Sequence, residues 1–168
     1  TYGSPVLKCV RKATDMFLDV HLMVNDPMSQ IKFFAEAGAD LISFHLESNS
    51  SAVQTLELIR SFGVKSALAI KPGTAAEEVY PLLSLCDMVL VMTVEPGYGG
   101  QAFIPETLEK IRQLREYAGG DLDIEVDGGI NANTAPLVKE AGANVLVAGT
   151  GLFKAEDMAQ ANAALKAP

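Results

Sequence analysis

Residues that can transfer protons, bind metals or contact anions follow the apolar segments of this sequence at regular intervals. An imidazole, several carboxylates, an ammonium group and two glycine-rich turns each come directly after such a segment. In chain order the groups are His21, Glu47, Lys71, Glu95, Asp127-Gly128-Gly129 and Gly149-Thr150-Gly151. Carboxylates and imidazoles are the usual groups of general acid–base catalysis, and both also bind divalent metals. A lone histidine after an apolar segment is more often a packed or hydrogen-bonded residue than a ligand.

Two glycine-rich turns near the C-terminus have the composition of an anion site. Asp127-Gly128-Gly129 and Gly149-Thr150-Gly151 are about twenty residues apart, and each ends an apolar run. Glycine allows backbone N–H groups to approach a phosphate closely, but it also occurs in ordinary turns. Two successive turns of this kind favour phosphate binding over simple chain reversal.

A third glycine-rich segment, Glu95 to Gln101, has three glycines within four positions: Gly97, Gly99 and Gly100. It follows the apolar run Val89–Val94 and is typical of a mobile lid that closes over a ligand. Its spacing lacks the Gly-x-Gly-x-x-Gly pattern of a dinucleotide site.

The elements that must position these residues alternate between strands and helices. Apolar runs typical of strands begin near Phe17, Leu41, Lys65, Met88, Ile124 and Val145, and amphipathic segments lie between them. One predicted helix covers Asp26–Ala37, with Met28, Ile31, Phe34 and Ala35 on one face and Asn25 or Asp26 as its cap. Gly38 and Gly142 are predicted to end helices in the left-handed conformation.

This alternation predicts a parallel sheet, either closed as a barrel or open and doubly wound. An open sheet concentrates ligand contacts at one switch point, whereas a barrel collects them from all its strand ends. Functional residue types follow six consecutive runs, so the pattern favours the barrel.

Composition limits the class of ligand. The formal charge of −8 disfavours nucleic acids and anionic membrane surfaces as partners. Only two cysteines occur, Cys9 and Cys86, without the spacing of a metal cluster or a disulfide framework. No apolar run reaches the length of a membrane span and no signal peptide pattern begins the chain. We therefore expect one domain over residues 1–168, a cytoplasmic location and a small-molecule ligand.

Five segments resemble the signatures of ribulose-phosphate 3-epimerases, in the order and spacing of that family. They are Asp19-Val20-His21-Leu22-Met23-Val24, Phe44-His45-Leu46-Glu47, Ala69-Ile70-Lys71-Pro72-Gly73-Thr74, Val91 to Gln101 and Glu125-Val126-Asp127-Gly128-Gly129-Ile130. The resemblance implies an α/β fold: a TIM (β/α)8 barrel of the ribulose-phosphate-binding type, with six of its eight βα units in this chain. It also implies a homo-oligomer.

The same resemblance implies a chemistry. D-ribulose 5-phosphate and D-xylulose 5-phosphate would interconvert through an enediolate, by proton transfer at C3 between two carboxylates beside a divalent metal. Zinc or iron(II) is the expected metal, with manganese or cobalt as further candidates. His21 and Asp127 match two of the family's metal ligands, and Asp127 matches one of its two catalytic aspartates.

Residues that the resemblance implies for substrate binding come from all these loops. They are His21, Met23, Met92, Gly97, Tyr98, Gly99, Gly100, Asp127, Gly128, Gly129, Gly149 and Thr150. The two methionines have an alternative role as core filler, since methionine on a strand is ordinarily buried packing. His45 is expected to be a supporting or core residue.

The largest departure from the family pattern is at the start of the chain. The family opens with two βα units that carry a serine and a His-x-Asp motif, and this sequence matches only after them. We therefore expect half of the metal site to be absent, with neither Asp15 nor Asp19 as a substitute, and the 168-residue chain to have impaired activity by itself. Alternatives are an epimerase of a six-carbon ketose phosphate such as allulose 6-phosphate, and a noncatalytic sugar-phosphate binder.

Overall fold

Six parallel strands form one sheet in the computed structural model, which describes residues 3–166. The residues outside that range are Thr1, Tyr2, Ala167 and Pro168. The strands are β1 (Asp19–Leu22), β2 (Leu41–His45), β3 (Lys65–Ile70), β4 (Met88–Met92), β5 (Asp123–Asp127) and β6 (Val145–Val147). All six apolar runs predicted as strands are therefore confirmed. The first begins two residues later than predicted, since Phe17 precedes the strand and is exposed.

The order of the strands in the sheet follows the sequence, from β1 at one edge to β6 at the other. An open doubly wound sheet reverses this order at its switch point, and no reversal occurs here. The sheet also curls: the carboxyl groups of Asp19 on β1 and Glu125 on β5 share a hydrogen bond, although three strands lie between them. The barrel type of fold is thus confirmed.

Seven helices are described, each on the path between strands or flanking them. They are α1 (Ser4–Ala13), α2 (Ile31–Glu36), α3 (Ala52–Ser61), α4 (Thr107–Ala118), α5 (Ala135–Ala141), α6 (Thr150–Phe153) and α7 (Met158–Lys166). Two 3-10 segments, Ala76–Glu78 and Tyr80–Leu85, connect β3 to β4. None of the helices between residues 3 and 166 combines the length and apolar character needed to cross a membrane.

The helix predicted over Asp26–Ala37 is shorter than expected, since α2 begins only at Ile31. The N–H of Gln30 donates to the carbonyl of Pro27 at 2.8 Å, so Met28 lies in a turn and not on the helix. Asp26 does not cap the helix, since it lies five residues before Ile31, and its carboxylate accepts the Ser50 hydroxyl at 2.7 Å. A side-chain contact from the loop after β2, distant in sequence, thus stands where the cap was predicted.

Gly38 and Gly142 end their helices with φ of +100° and +116°, as predicted. An arginine from the preceding helix covers each of them: a Cβ at Gly38 would lie 2.6 Å from Arg11 Cδ, and one at Gly142 would lie 2.7 Å from Arg115 Cβ. These positions therefore need glycine for close packing as well as for backbone conformation.

The two faces of the sheet differ in composition. The outer face packs against the helices in a large apolar core that includes Ile42, Phe44, Leu68, Val91 and Val126. The inner face carries two small apolar layers, together with the alternate residues of β1, β2 and β5. Apart from Leu41, which belongs to one of the apolar layers, those alternate residues are polar: Asp19, His21, Ser43, His45, Asp123, Glu125 and Asp127. Because side chains alternate along a strand, the inner face can hold a polar site inside an apolar shell.

Candidate active site

A cleft of about 200 Å³ opens at the carboxyl ends of β4, β5 and β6. Its walls combine strand-end side chains with the three glycine-rich segments. The lining residues are Met23, Met92, Val94, Glu95, Pro96, Gly97, Tyr98, Gly99, Gly100, Gln101, Asp127, Gly128, Gly129, Ile130, Val147, Gly149 and Thr150. The structure thus brings together eleven of the twelve predicted substrate-binding residues, and His21 is the one that does not line this cleft.

Asp127 is the last residue of β5 and supplies a carboxyl group to the cleft. It pairs in register with Met92 of β4, which is almost fully buried, and its own side chain is half-buried. Burial raises the pKa of the Asp127 carboxyl above its ordinary value. A carboxylate made more basic in this way is better matched to removing a proton near neutral pH.

Glycine is present in the two C-terminal loops for different structural reasons. Gly128 and Gly129 have φ of +125° and +66°, and a Cβ would lie 2.5 Å from Val94 Cγ2 or 2.7 Å from the Phe103 nitrogen. Both are therefore required by packing. At Gly149 a Cβ would meet nothing within 4 Å, so this glycine leaves open space in the cleft. The sequence alone predicted equivalent roles for these loops.

The segment from Glu95 to Gln101 forms the outer wall of the cleft. The side-chain amide of Gln101 donates to the carbonyl of Glu95 at 2.7 Å and to that of Tyr98 at 2.9 Å, which closes the segment into a loop. A Cβ at Gly99 or Gly100 would lie 4.0 or 3.9 Å from Thr150 Cγ2. The backbone of this loop therefore passes close to the start of α6 across the cleft.

His21 lies on β1, with both ring nitrogens engaged. Nδ1 is 3.0 Å from Ser43 Oγ, and Nε2 is 3.2 Å from Nε2 of His45, whose ring packs edge-on against it. Burial, aided by the nearby His45, lowers the pKa of His21 to about 4. The imidazole of His21 is therefore neutral near pH 7.

A second cleft of about 310 Å³ adjoins the first and shares Met23, Pro96 and Gly97 with it. His45 and Glu47 line this second cleft. The structure thus places His45, which was predicted to be a supporting or core residue, at the wall of a cleft. Burial opposes ionisation of Glu47, but hydrogen bonds from His45, the Lys71 N–H and the Thr74 hydroxyl outweigh it and lower the pKa of Glu47 to about 2. Glu47 is an anion fixed by three donors.

The comparisons with known proteins agree with this geometry. The model of the ribulose-phosphate 3 epimerase family matches residues 1–153. The chain belongs to this epimerase family. The prediction of the family from its five sequence segments is thereby confirmed.

Two curated epimerases illustrate the extent of the similarity. The cytoplasmic isoform of ribulose-phosphate 3-epimerase from Oryza sativa subsp. japonica is 42% identical over 170 residues, which cover 99% of this chain and 74% of the rice protein. The Bacillus subtilis ribulose-phosphate 3-epimerase is 44% identical over 165 residues, covering 96% and 76%. This chain thus spans about three quarters of the length of these epimerases.

The fold has counterparts among solved structures. A 3-hexulose-6-phosphate synthase superposes with a TM-score of 0.76 at 22% identity, over 96% of this chain and 78% of the other. This similarity concerns the barrel fold alone. It agrees with the consecutive strand order and the curled sheet of this epimerase-family chain.

The described residues supply an incomplete set of ligands for the metal that the resemblance implies. Within residues 3–166, no three His, Cys, Asp or Glu side chains form a group that could hold a metal ion. Metal sites of the zinc type need at least three protein ligands, and only His21 and Asp127 are candidates here. Both ring nitrogens of His21 already have partners. The described residues therefore do not fit a metal site by themselves.

Sequence reasoning missed a carboxyl pair inside the barrel of this epimerase-family chain. Glu125 is only 4% exposed, and its protonated carboxyl donates a hydrogen bond to Asp19. Burial and the nearby Asp19 raise the pKa of Glu125 to about 9. Strand alternation could have revealed the pair, since Asp19 and Glu125 lie two residues before His21 and Asp127 and share their face.

Glu125→Gln is expected to stabilise the fold at alkaline pH. Folding raises the pKa of Glu125 from 4.5 to about 9, so folding takes up a proton between these values. The free energy of unfolding of the native sequence should therefore fall as pH rises through this window. A glutamine can still donate to Asp19 but cannot ionise, and we expect a gain of about 1–3 kcal/mol at pH 8.5.

Urea denaturation of both proteins from pH 5 to 9 measures the effect. The exposed Glu109→Gln serves as a matched control and should follow the native pH dependence. Parallel curves for the native and Glu125→Gln proteins would contradict the raised pKa of Glu125.

Proposed function

We propose that this chain carries the sugar-phosphate site of an epimerase that interconverts D-ribulose 5-phosphate and D-xylulose 5-phosphate. The observation that supports this most directly is the position of Asp127. Its carboxyl enters the same cleft as the glycine loop at Gly149 and the loop at Gly97–Gly100. One cleft thus combines a carboxyl group, open space at Gly149 beside the first turn of α6 and a glycine-rich wall, in a chain that belongs to a family of epimerases.

The phosphate group is proposed to bind at Gly149 and Thr150. The first turn of α6 begins there, and the first N–H groups of a helix have no carbonyl partner within it. The missing side chain of Gly149 leaves room for an anion to approach these groups. Gly129 contributes differently: its packing against Phe103 holds the β5 loop beside the cleft.

Asp127 is proposed to transfer the proton at C3. Its carboxylate accepts the C3 proton, and the electron pair of the C–H bond moves toward the C2 ketone to give the enediolate. Protonation of C3 by a second acid on the opposite face inverts the centre, whereas return of the proton from Asp127 restores the original sugar. Burial supports this role because it makes the Asp127 carboxylate more basic.

The remaining binding roles follow from the walls of the cleft. Met23 and Met92 are proposed to border the carbon chain of the sugar, while Tyr98 and Gly128 border its outer and inner ends. A divalent metal, zinc or iron(II), stays a proposal from the resemblance, with His21 and Asp127 as its candidate ligands. No step described above depends on it. A cytosolic setting is supported by the rice relative, which is named a cytoplasmic isoform.

The direct test is incubation of the protein with D-ribulose 5-phosphate in deuterium oxide, followed by NMR. Epimerisation gives D-xylulose 5-phosphate, and proton removal alone gives deuterium at C3 of the recovered substrate. Either product supports the proposed site, and allulose 6-phosphate in parallel measures preference for a six-carbon sugar. A chain that binds the sugar phosphate without either product would be a noncatalytic binder.

The loop Gly97–Gly100 is expected to become more ordered when the ligand binds. It forms one wall of the cleft and meets Thr150 across it, so a bound phosphate would hold both walls together. We expect at least threefold slower amide hydrogen exchange at residues 97–101 with saturating D-ribulose 5-phosphate, since closure must exclude water from the enediolate.

Peptide-level exchange measured with and without the sugar phosphate checks this. The segment Gly119–Asp121 lies before β5, at the other end of the sheet, and provides an internal control whose exchange should not change. Equal exchange of residues 97–101 in both states would rule out the proposed lid.

A further inference from the structure

Four polar side chains form a continuous row across β1, β2 and the loops that follow. Ser43 Oγ contacts His21 Nδ1 at 3.0 Å, the Nε2 atoms of His21 and His45 are 3.2 Å apart, and His45 Nδ1 is 3.2 Å from Glu47 Oε2. Each imidazole is therefore engaged at both nitrogens. Only the directions of the hydrogen bonds are left to determine.

The far end of the row determines these directions. Glu47 is ionised and can only accept, so His45 must carry a hydrogen on Nδ1. In the tautomer with its single ring hydrogen on Nδ1, His45 has a lone pair on Nε2, and the facing Nε2 of His21 must donate to it. Nδ1 of His21 is left as an acceptor, and the Ser43 hydroxyl donates to it.

We propose that Glu47 and His45 are positioning residues that fix His21 in its Nε2–H tautomer, so that the lone pair of His21 lies on Nδ1. Ser43 then donates its hydroxyl hydrogen to that lone pair, while the Nε2 side is closed by His45. The relevance of this for catalysis rests on the proposed function, but the tautomer itself rests on the hydrogen bonds alone.

The anchoring of Glu47 extends the row to α4. Oε1 of Glu47 accepts the Lys71 N–H at 2.9 Å and the Thr74 hydroxyl. The carbonyls of Lys71 and Pro72 accept in turn from Nζ of the buried Lys110, at 2.6 and 2.9 Å. The loop after β3 is thus fixed to α4, and it holds Glu47 with one oxygen toward the loop and the other toward His45.

Because the two oxygens of Glu47 have different partners, the substitution Glu47→Gln should change the hydrogen bonds of the row in a specific way. Two donors face Oε1 and one faces Oε2, so the single amide oxygen of glutamine should turn toward Lys71 and Thr74. Its NH2 group then donates to His45 Nδ1, which must become an acceptor. His45 in turn donates from Nε2 to His21, and His21 donates from Nδ1 to Ser43. Both tautomers invert.

NMR of the ring nitrogens tests this directly, because His21 and His45 are the only two histidines of the sequence. The protein is labelled with 15N-histidine and studied at pH 8.5, well above the ordinary imidazole pKa of about 6.5. For the native sequence we expect His21 protonated on Nε2 and His45 on Nδ1. For Glu47→Gln we expect the opposite pair of tautomers.

Two controls separate the proposed cause from its alternatives. Ser43→Ala removes the contact at His21 Nδ1 but leaves Glu47 in place, so the native tautomers should persist. Glu109→Gln removes an exposed carboxylate and should change neither ring. An imidazolium at His45, a His21 protonated on Nδ1 in the native protein, or unchanged tautomers in folded Glu47→Gln would each overturn the proposal. The native and Ser43→Ala spectra decide it even if Glu47→Gln fails to fold.

Discussion

Asp127→Asn is expected to reduce the exchange of the C3 proton of D-ribulose 5-phosphate with solvent by about 10²–10⁴-fold. An asparagine has nearly the same shape as aspartate and can still fill its place at the end of β5, but its amide cannot accept the C3 proton as a base. Deuterium incorporation at C3, followed by NMR, measures the loss. The affinity for the sugar phosphate should change much less, because the proposed phosphate contacts lie at Gly149 and Thr150.

The pH dependence of this exchange provides an independent check. Burial raises the pKa of Asp127, and only its ionised form accepts a proton. The rate should therefore fall as pH decreases through this raised pKa, at a higher pH than for an ordinary aspartate. Asp123→Asn at the other end of β5 is the matched control and should retain the native rate and profile. Undiminished exchange in Asp127→Asn would exclude Asp127 as the base.

Gly149→Leu is expected to weaken binding of D-ribulose 5-phosphate by at least tenfold, which corresponds to about 1.4 kcal/mol or more. A Cβ at position 149 meets no protein atom within 4 Å, so the new side chain extends into the cleft where the phosphate is proposed to bind. Titration calorimetry with the sugar phosphate and with inorganic phosphate measures the loss. Because the side chain has room, the free energy of unfolding should change by less than about 1 kcal/mol.

Gly120→Leu is the control for this substitution. Gly120 also has open space around its Cβ position, but it lies between α4 and β5, at the end of the sheet away from the cleft. Its affinity for the sugar phosphate should match that of the native protein. Gly129→Leu, in contrast, should destabilise the fold because of the close approach of Phe103, so it cannot serve as a binding probe. Native affinity in Gly149→Leu would remove Gly149 from the phosphate site.

Local sequence patterns determined much of the fold. Six apolar runs became six strands because each is short and contains β-branched or large apolar residues, and the outer faces of β2 to β5 are buried. Gly38 and Gly142 ended helices as predicted, since the left-handed conformation is a local property of the backbone. The predicted start of α2 at Asp26 was wrong, since the helix begins at Ile31. Asp26 bonds instead to Ser50, a residue 24 positions away that no local pattern reveals.

The sequence by itself determined the family, the parallel arrangement and the residue types at the strand ends, because these depend on local periodicity and on motifs read along the chain. Only the tertiary structure decided which of those residues pack against the protein, which face the cleft and which contact one another. It separated Gly149, which faces open space, from Gly129, which packs on Phe103. It joined Glu47 to His21 through His45, and Glu125 to Asp19 across the curled sheet. Such contacts depend on the curvature of the sheet and on the depth at which each side chain is buried, and both are properties of the assembled strands.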